Sequence, residues 1–453
     1  MSKVIKIKRG LDIELVGEAI KEVAVPKRVS TYAVSPGDFA GVTPKLLVKP
    51  DDEVKAGSPL FFDKDRPSVI FTSPVSGRVA EIKRGEKRKI KAIIIEAGQS
   101  QEYEVFPQGK PEKMSREEIV EALLKSGLWP MIIQRPYGRI ADPHAKPKGI
   151  FVSGFDSAPL APDMNFILKD EAENLTAGFE ALGKLTSGKV YLGLKAGAEG
   201  VLNTIENADK VFFQGPHPAG NVGVQIHYID PINKGDVVWT VDVQNVAIIG
   251  RLFRTGRVDM RRTVALTGSE VLHPKYVSVV TGAPLVQPVM EVEVKRQSSN
   301  QRLRLIVGDV LSGKLSNADG YVDMYHNQIT IIPEGDKYEF LGWIMPRFDK
   351  LSVSQSYFSW LFPKKKYDLD TNLNGGKRAF VVTGLFEKYF PMDIYPMYLI
   401  KACMAGDIDK MENLGIYEVL PEDFALCEFV DPSKTDIQQA IADGIELMIK
   451  EVG

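Results

Sequence analysis

The sequence predicts a multidomain α+β chain, and three observations carry that prediction. Residues 26–100 read as short strands punctuated by glycine and proline, residues 150–260 alternate strand with helix, and the chain ends helical. A length of 453 residues is also too great for one hydrophobic core and suggests about three or four domains.

In the first region the stretch Val48-Lys49-Pro50-Asp51-Asp52-Glu53-Val54-Lys55-Ala56-Gly57-Ser58-Pro59-Leu60 is answered by Ser73-Pro74-Val75-Ser76-Gly77-Arg78-Val79. Two similar hairpin halves of this kind pack face to face in a lipoyl-like barrel-sandwich. A carrier domain would place a modifiable lysine at the hairpin tip. Arg66 holds that slot, Pro67 follows it and Lys64 is out of register, so the domain reads as structural.

A helix follows with a clear start and stop. Ser115 and Glu118 form a capping box, Ile119, Leu123 and Leu124 make the apolar stripe, and Gly127 ends it. Strands at 149–154, 189–194 and 210–213 then alternate with helices at 171–185 and about 198–206, the pattern of a Rossmann-like parallel sheet with covering helices. Strands at 263–268 and 328–332 indicate a small mixed, β-grasp-like domain. A connector rich in proline, lysine and aromatic residues leads to the last unit, where Thr435 and Gln438 suggest a second capping box and Ile437, Ile441, Ile445, Met448 and Val452 line one face. The resulting division is 1–110 (barrel-sandwich with an N-terminal extension), 111–261 (Rossmann-like), 262–344 (β-grasp-like), 345–376 (connector) and 377–453 (helical).

Composition excludes several functions. A net charge of −2 argues against nucleic acid as a partner. Two cysteines, Cys403 and Cys427, allow neither a disulfide framework nor a C-x-x-C site, which suits a reducing cytoplasm. The first residues lack the apolar core of a signal peptide, and no run reaches the roughly 18–20 apolar residues that span a bilayer. Any membrane role is then peripheral.

Few residues carry recognisable chemistry. Phosphate-binding loops need glycines that let backbone amides reach the anion, but Leu128 to Ile140 holds one glycine and two prolines, and neither a G-x-G-x-x-G nor a P-loop motif occurs. None of His144, His217, His227, His273 and His326 has zinc-site spacing. His217, in Gly215-Pro216-His217-Pro218-Ala219-Gly220-Asn221, is either a turn histidine bonded to nearby backbone or a ligand contact. Cys403 reads as a small buried hydrophobe. Trp360 and Phe362 stand beside Lys364, Lys365 and Lys366, a combination suited to a lipid headgroup zone or to contact with a membrane subunit, or else to a partly buried connector with a solvated tail.

The C-terminal unit holds the most telling pattern. Phe380, Thr383, Phe386 and Phe390 keep the spacing of C-x-x-C-x-x-C-x-x-x-C-P, with Pro391 after them. Pro421, Phe424, Cys427 and Asp431 repeat it, followed by Pro432. Two-cluster ferredoxins bind iron–sulfur clusters with cysteine runs of this spacing. Here one cysteine of eight survives, so the unit resembles a ferredoxin without clusters, and no metal site is expected.

Taken in order, these elements resemble the C subunit of the Rnf complex and the flavin subunit of respiratory complex I. The phrases Ser35-Pro36-Gly37-Asp38-Phe39-Ala40-Gly41-Val42-Thr43-Pro44-Lys45, Phe71-Thr72-Ser73-Pro74-Val75-Ser76-Gly77, Asn374-Gly375-Gly376-Lys377-Arg378 and Ala425-Leu426-Cys427-Glu428-Phe429-Val430 are similar to the family of A subunits of sodium-translocating NADH:quinone reductases. The resemblance implies a peripheral subunit on the cytoplasmic face of the bacterial inner membrane, inactive when isolated. It would bind no cofactor itself. Flavins and iron–sulfur centres would belong to partner subunits, and the chain would sit beside a membrane subunit near ubiquinone or menaquinone. An apolar, aromatic-lined cleft with one or two donors suits a quinone headgroup. Tyr32, Asp38 and Phe39 in one loop, and Trp129, Gln134 and Tyr137 in another, are the candidate quinone contacts. A catalytic flavin- or NADH-binding subunit with a non-standard loop and a non-respiratory scaffold are the alternatives.

Overall fold

A computed structural model describes residues 4–295, 302–317, 319–335, 342, 347–381 and 384–452. Thr383, one of the emptied ligand slots, and the start of the connector at 345–346 lie outside the described residues.

The barrel-sandwich closes as the hairpin pattern requires. Thr31–Val34, Ile90–Ala97, Gly77–Arg84 and Glu53–Val54 form a four-stranded sheet, facing a three-stranded one of Pro44–Leu46, Pro59–Asp63 and Ile70–Thr72. Alternate side chains point inward, where Phe61 and Phe71 stack at 4.4 Å and Phe39 packs on both. Arg66, in the carrier-lysine position, donates to Asp63 at 3.0 Å and to the carbonyl of Ile140 at 2.7 Å. The hairpin tip is thereby tied down against the next unit.

That unit is built on a seven-stranded sheet in the order Val4–Lys6, Asp209–Gln214, Lys189–Lys195, Gly149–Ser153, Val238–Val241, Ile132–Arg135, Arg139–Ile140. The first five strands are mutually parallel, and Ile132–Arg135 runs antiparallel to both of its neighbours. Successive residues of a strand face opposite sides, so Ile150 and Val152 join the core beneath the helices Ala172–Leu185 and Val243–Thr255, while Phe151 joins the core on the other face. Those two helices cross at glycines. A methyl group on Gly250 would stand 1.7 Å from the carbonyl oxygen of Asn174, and one on Gly178 would stand 2.1 Å from that of Val246. The preceding helix, Arg116–Ser126, has its capping box in place, with Gly127 left-handed at its end.

The N-terminal residues are not confined to an extension of the barrel-sandwich. Val4–Lys6 is the edge strand just described. Ile20–Ala24 adds to a six-stranded sheet with Lys275–Val280, Arg261–Thr267, Gln328–Pro333, Leu303–Val307 and Lys314–Ser316. The chain thus threads through two other sheets before entering its first domain.

Two local expectations fail. Only Val201–Thr204 turns, as a single 3₁₀ segment, where a helix over 198–206 is expected. The last helix, Ile437–Glu451, lacks the Thr435–Gln438 capping box. The Glu428 carboxylate takes the Gln438 amide at 2.7 Å instead, while Asp431 accepts from the Thr435 amide at 2.8 Å. Tertiary partners have displaced the local cap.

The helices Pro396–Ala405, Ile408–Asn413, Ala425–Val430 and Ile437–Glu451 share one core with the second face of the seven-stranded sheet. Phe390, Phe424 and Cys427 meet Phe151, Phe213 and Val224 there. Arg135 crosses the same junction. Only 1% exposed, it donates to Glu422 at 2.7 Å, to Asp423 at 3.3 Å and to the Glu418 carbonyl at 3.4 Å. Breaking a buried pair by removing one partner leaves an uncompensated charge.

Two expected outcomes follow. Gly250→Ala forces the helix pair apart and should cost about 1–3 kcal/mol. Gly183→Ala, in the same layer but with open space around it, should gain about 0.5–1 kcal/mol. Thermal unfolding of the two variants should therefore shift in opposite directions. Arg135→Ala should cost about 3–5 kcal/mol and raise amide exchange across 420–425 before that of the strands at 149–153.

Candidate functional site

In open α/β sheets, ligands bind beyond the carboxyl ends of the parallel strands. A cavity of about 660 Å³ lies at that position, past Ser153 and Val241. Its other walls are the turn 308–314, residues 325–328, residues 420–425 and the last helix, with Ala40 and Gly41 at one rim. All parts of the chain except the connector contribute. The volume falls within the roughly 300–1,000 Å³ range of small-molecule sites.

Where a nucleotide-binding relative would present glycine amides, this chain folds a β-hairpin. Ile133 pairs with Ile140 and Gln134 with Arg139, leaving Arg135, Pro136, Tyr137 and Gly138 as the turn. Arg135 is committed to Glu422 and Asp423. Gly138 is left-handed at φ +64° and lies against the Leu420 side chain.

The cavity is electrostatically acidic. Burial pushes the Asp156 carboxyl up to about 6, reinforced by Asp309 and Asp242 and opposed by the amides of Ala158 and Ser157. Asp156 is nonetheless solvent-exposed at the cavity wall, so water screens part of this push. Glu422 is likewise raised by burial and by Asp423 and Asp309, against the pull of Arg135. His217 is lowered by burial, which keeps its ring neutral despite Asp309 and Asp12 nearby. His217 bonds both backbone and side chains: its carbonyl accepts from the Leu11 amide at 2.9 Å, its Nδ1 meets Ser157 Oγ at 3.1 Å, and its own amide donates to Asp12 at 2.9 Å.

The six candidate quinone contacts fall in several places. Only Tyr137 reaches the large cavity, near Tyr417 at 6.2 Å between ring centroids. Trp129 is fully buried, edge-on to Trp239, with its indole nitrogen donating to the Ala141 carbonyl at 2.8 Å. Gln134 accepts from Trp239 at 3.3 Å and from the Asp142 amide at 3.2 Å. Asp38 and Phe39 border a space of about 30 Å³, room for about one water. Burial and Asp323 push the Asp38 carboxyl up to about 6, offset in part by Lys314 and His326. Tyr32 lines a separate crevice of about 260 Å³ with Arg28, Met260 and Gln287. The two loops therefore do not build one site.

The connector candidates are exposed. Trp360 is 56% and Phe362 44% accessible, Phe348 and Phe358 stack beside them at 5.4 Å, and Lys364, Lys365 and Lys366 lie on the surface. Lys365 donates to the Phe348 carbonyl at 2.6 Å, and Lys366 pairs with Glu18 at 2.9 Å.

The described positions with cluster-ligand spacing hold protein-packed side chains. Phe390 packs on Phe424 at 4.8 Å and Phe380 on Phe386 at 5.9 Å, Pro421 opens a 3₁₀ turn, and Cys427 is fully buried. Burial, with Glu387 and Asp431 adjacent, raises the Cys427 thiol well above the ordinary range, and burial pushes Cys403 up to about 12. Among the described residues no group of His, Cys, Asp and Glu is arranged to hold a metal.

Asp156, Asp309, Glu422 and the amides Asn245 and Gln328 are the cavity residues that sequence reasoning does not find. They come from separate segments with no shared spacing. Asp242 alone carried a usable signal, as an acidic N-cap before an apolar helical run.

Three family models match consecutive parts of the chain: the NqrA N-terminal barrel-sandwich hybrid domain over 5–98, the NqrA second alpha/beta domain over 114–258 and the NQRA C-terminal domain over 263–318. The A subunit of the Na(+)-translocating NADH-quinone reductase of Hahella chejuensis is 40% identical over 453 residues, covering 99% of this chain and 100% of the relative. Its counterpart in Neisseria meningitidis serogroup B is 38% identical over 451 residues, covering 99% and 100%. That of Rhodopirellula baltica is 35% identical, covering 99% and 98%. Among solved structures, an NAD+-reducing [NiFe]-hydrogenase in the air-oxidised state aligns with 76% of this chain and 62% of its own at 13% identity and a TM-score of 0.38, too low to carry an argument. Identity of this order from end to end means that the chain belongs to the family of Na(+)-translocating NADH-quinone reductase A subunits.

Proposed function

We propose that the chain is a peripheral subunit of a sodium-translocating NADH-quinone reductase, holding no cofactor of its own, docked on a membrane partner at the cytoplasmic face and helping to form the quinone site. Full-length similarity to A subunits of that enzyme carries the reading. Among the described residues no helix is long and apolar enough to cross a membrane, which suits a docked subunit. Flavins and iron–sulfur centres would lie in partner subunits.

The absence of a cofactor is supported by what occupies the places for one. A hairpin and a committed arginine stand where glycine amides would be needed, and phenylalanines fill the ligand slots. Descent from a two-cluster ferredoxin gains support from how the two runs meet. In such ferredoxins the fourth ligand of each run serves the other run's cluster. Here Phe390, fourth in the first run, packs on Phe424 of the second. Asp431, fourth in the second, lies two residues from Ser433, whose hydroxyl donates to the Ala379 carbonyl at 3.1 Å beside Phe380.

Docking is assigned to the surface of Trp360, Phe362 and Lys364 to Lys366, where exposed aromatics adjoin cationic side chains. Ubiquinone or menaquinone contact is assigned to Tyr137 in the large cavity and Tyr32 in the 260 Å³ crevice, where apolar residues such as Val75 and Met260 stand beside the donors Arg28 and Gln287.

Purified full-length protein should be colourless between about 350 and 500 nm, the region where a bound flavin would absorb, and free of iron. A yellow chromophore at one per chain would overturn the cofactor-free reading in favour of a flavin-binding catalytic subunit. Trp360→Ala combined with Lys364→Glu should reduce recovery of the chain with the membrane subunits several-fold at low salt, while leaving its thermal unfolding unchanged. Undiminished recovery would remove this surface from the interface.

A further inference from the structure

His217 stands on the wall of the large cavity with one ring nitrogen used and the other free. The residue is 4% exposed, and its ring is neutral because burial lowers its proton affinity. Nδ1 meets Ser157 Oγ at 3.1 Å. Nε2 has no partner among the described residues, and they do not seal it from the cavity. The tautomer follows from the serine. Ser157 Oγ accepts from the Gly220 amide at 2.8 Å, and its own hydrogen finds an acceptor in Nδ1. The ring proton is then on Nε2, so the histidine offers an N–H donor to the cavity.

This donor is held in place. The His217 amide donates to Asp12 at 2.9 Å, its carbonyl accepts from the Leu11 amide at 2.9 Å, and a methyl group on Gly10 would stand 2.1 Å from that carbonyl oxygen. At the far end of the loop the Gly220 carbonyl accepts from Ser153 Oγ at 2.9 Å, and Ser153 Oγ accepts from Gln225 at 2.8 Å. The histidine therefore loses little freedom on meeting a ligand, whereas the exposed Lys314 on the same wall would lose its rotamers. Met131, Ile133, Phe155 and Met164 give the cavity apolar surface. Asp156 and Glu446 stand exposed on its wall and repel an anion. A neutral acceptor carried on an apolar ring fits this combination.

We infer that His217 is the hydrogen-bond donor to a carbonyl oxygen of a quinone headgroup bound in the large cavity, its Nε2–H meeting the oxygen while the quinone ring lies on the apolar wall. This rests on the quinone contact proposed above and adds the group that orients the headgroup there.

Decylubiquinone titrated into the full chain, with the histidine ring nitrogens isotopically labelled and observed by NMR, tests the assignment. The free protein should show His217 protonated at Nε2. Decylubiquinone should move that resonance and leave those of His144 and His273, both exposed and outside the cavity, unmoved. His217→Phe should weaken binding about five- to tenfold, as for the loss of one hydrogen bond. His217→Gln, which keeps an N–H donor, should stay within about threefold of the unaltered chain. Ser157→Ala removes the partner of Nδ1, so it should shift the ring toward a mixture of tautomers and weaken binding, a second reading if His217→Phe loses stability. Decylubiquinone binding that leaves the Nε2–H resonance unmoved, or that neither His217→Phe nor Ser157→Ala weakens, would overturn the donor and leave quinone contact elsewhere standing. No saturable binding by the unaltered full chain would overturn both.

Discussion

The ion pair of Arg135 with Glu422 and Asp423 is the constraint around which the functional half of the molecule is arranged. Its cation sits in a hairpin at the edge of the seven-stranded sheet, and its anions open the last helical segments, more than 280 residues away in sequence. A buried charge is tolerated only when paired and hydrogen-bonded, so the hairpin and the helical unit must meet in one register. That register brings Phe390, Phe424 and Cys427 against the apolar face of the sheet and closes one wall of the large cavity. It also commits the Arg135 cation to two carboxylates of the chain, which leaves the cavity lined by more carboxylates than free cations.

A second constraint is the path of the first 24 residues. Val4–Lys6 completes one sheet and Ile20–Ala24 another, while Tyr367 at the end of the connector bonds back to Glu14 and Val16. The N-terminal segment is thus a strap across the α/β unit, the mixed sheet and the connector. Exposed aromatics at 358–362 lie just before this anchored point, so a docking surface there is held by the strap at its base although its apolar side chains face outward.

On the proposed descent, the cluster slots and the nucleotide loop follow the same physical route: groups that would contact a cofactor give way to groups that contact protein, phenylalanine rings on one another in the slots and a guanidinium on two carboxylates in the loop. Cores are close-packed, and large apolar side chains fill volume that would otherwise be a void. The large cavity escaped this filling. Its walls mix apolar surface with charged groups, and the charged groups cannot collapse onto one another without unpaired burial.

Much of the architecture was legible because it rests on local rules. The Ser115–Glu118 box with Gly127, the glycine- and proline-bounded hairpins of the barrel-sandwich and the strand–helix alternation of 149–255 all follow from neighbouring residues. What tertiary structure decided was pairing over distance. No local signal places Val4–Lys6 beside Asp209–Gln214, gives the Gln438 amide to Glu428 in preference to Thr435, or sends Trp129 into the core while leaving Tyr137 at the cavity. The cavity itself was invisible for the same reason. Its carboxylates are single residues on separate segments, and only folding brings them to one cavity, where their proximity raises the proton affinity of Asp156 and Glu422.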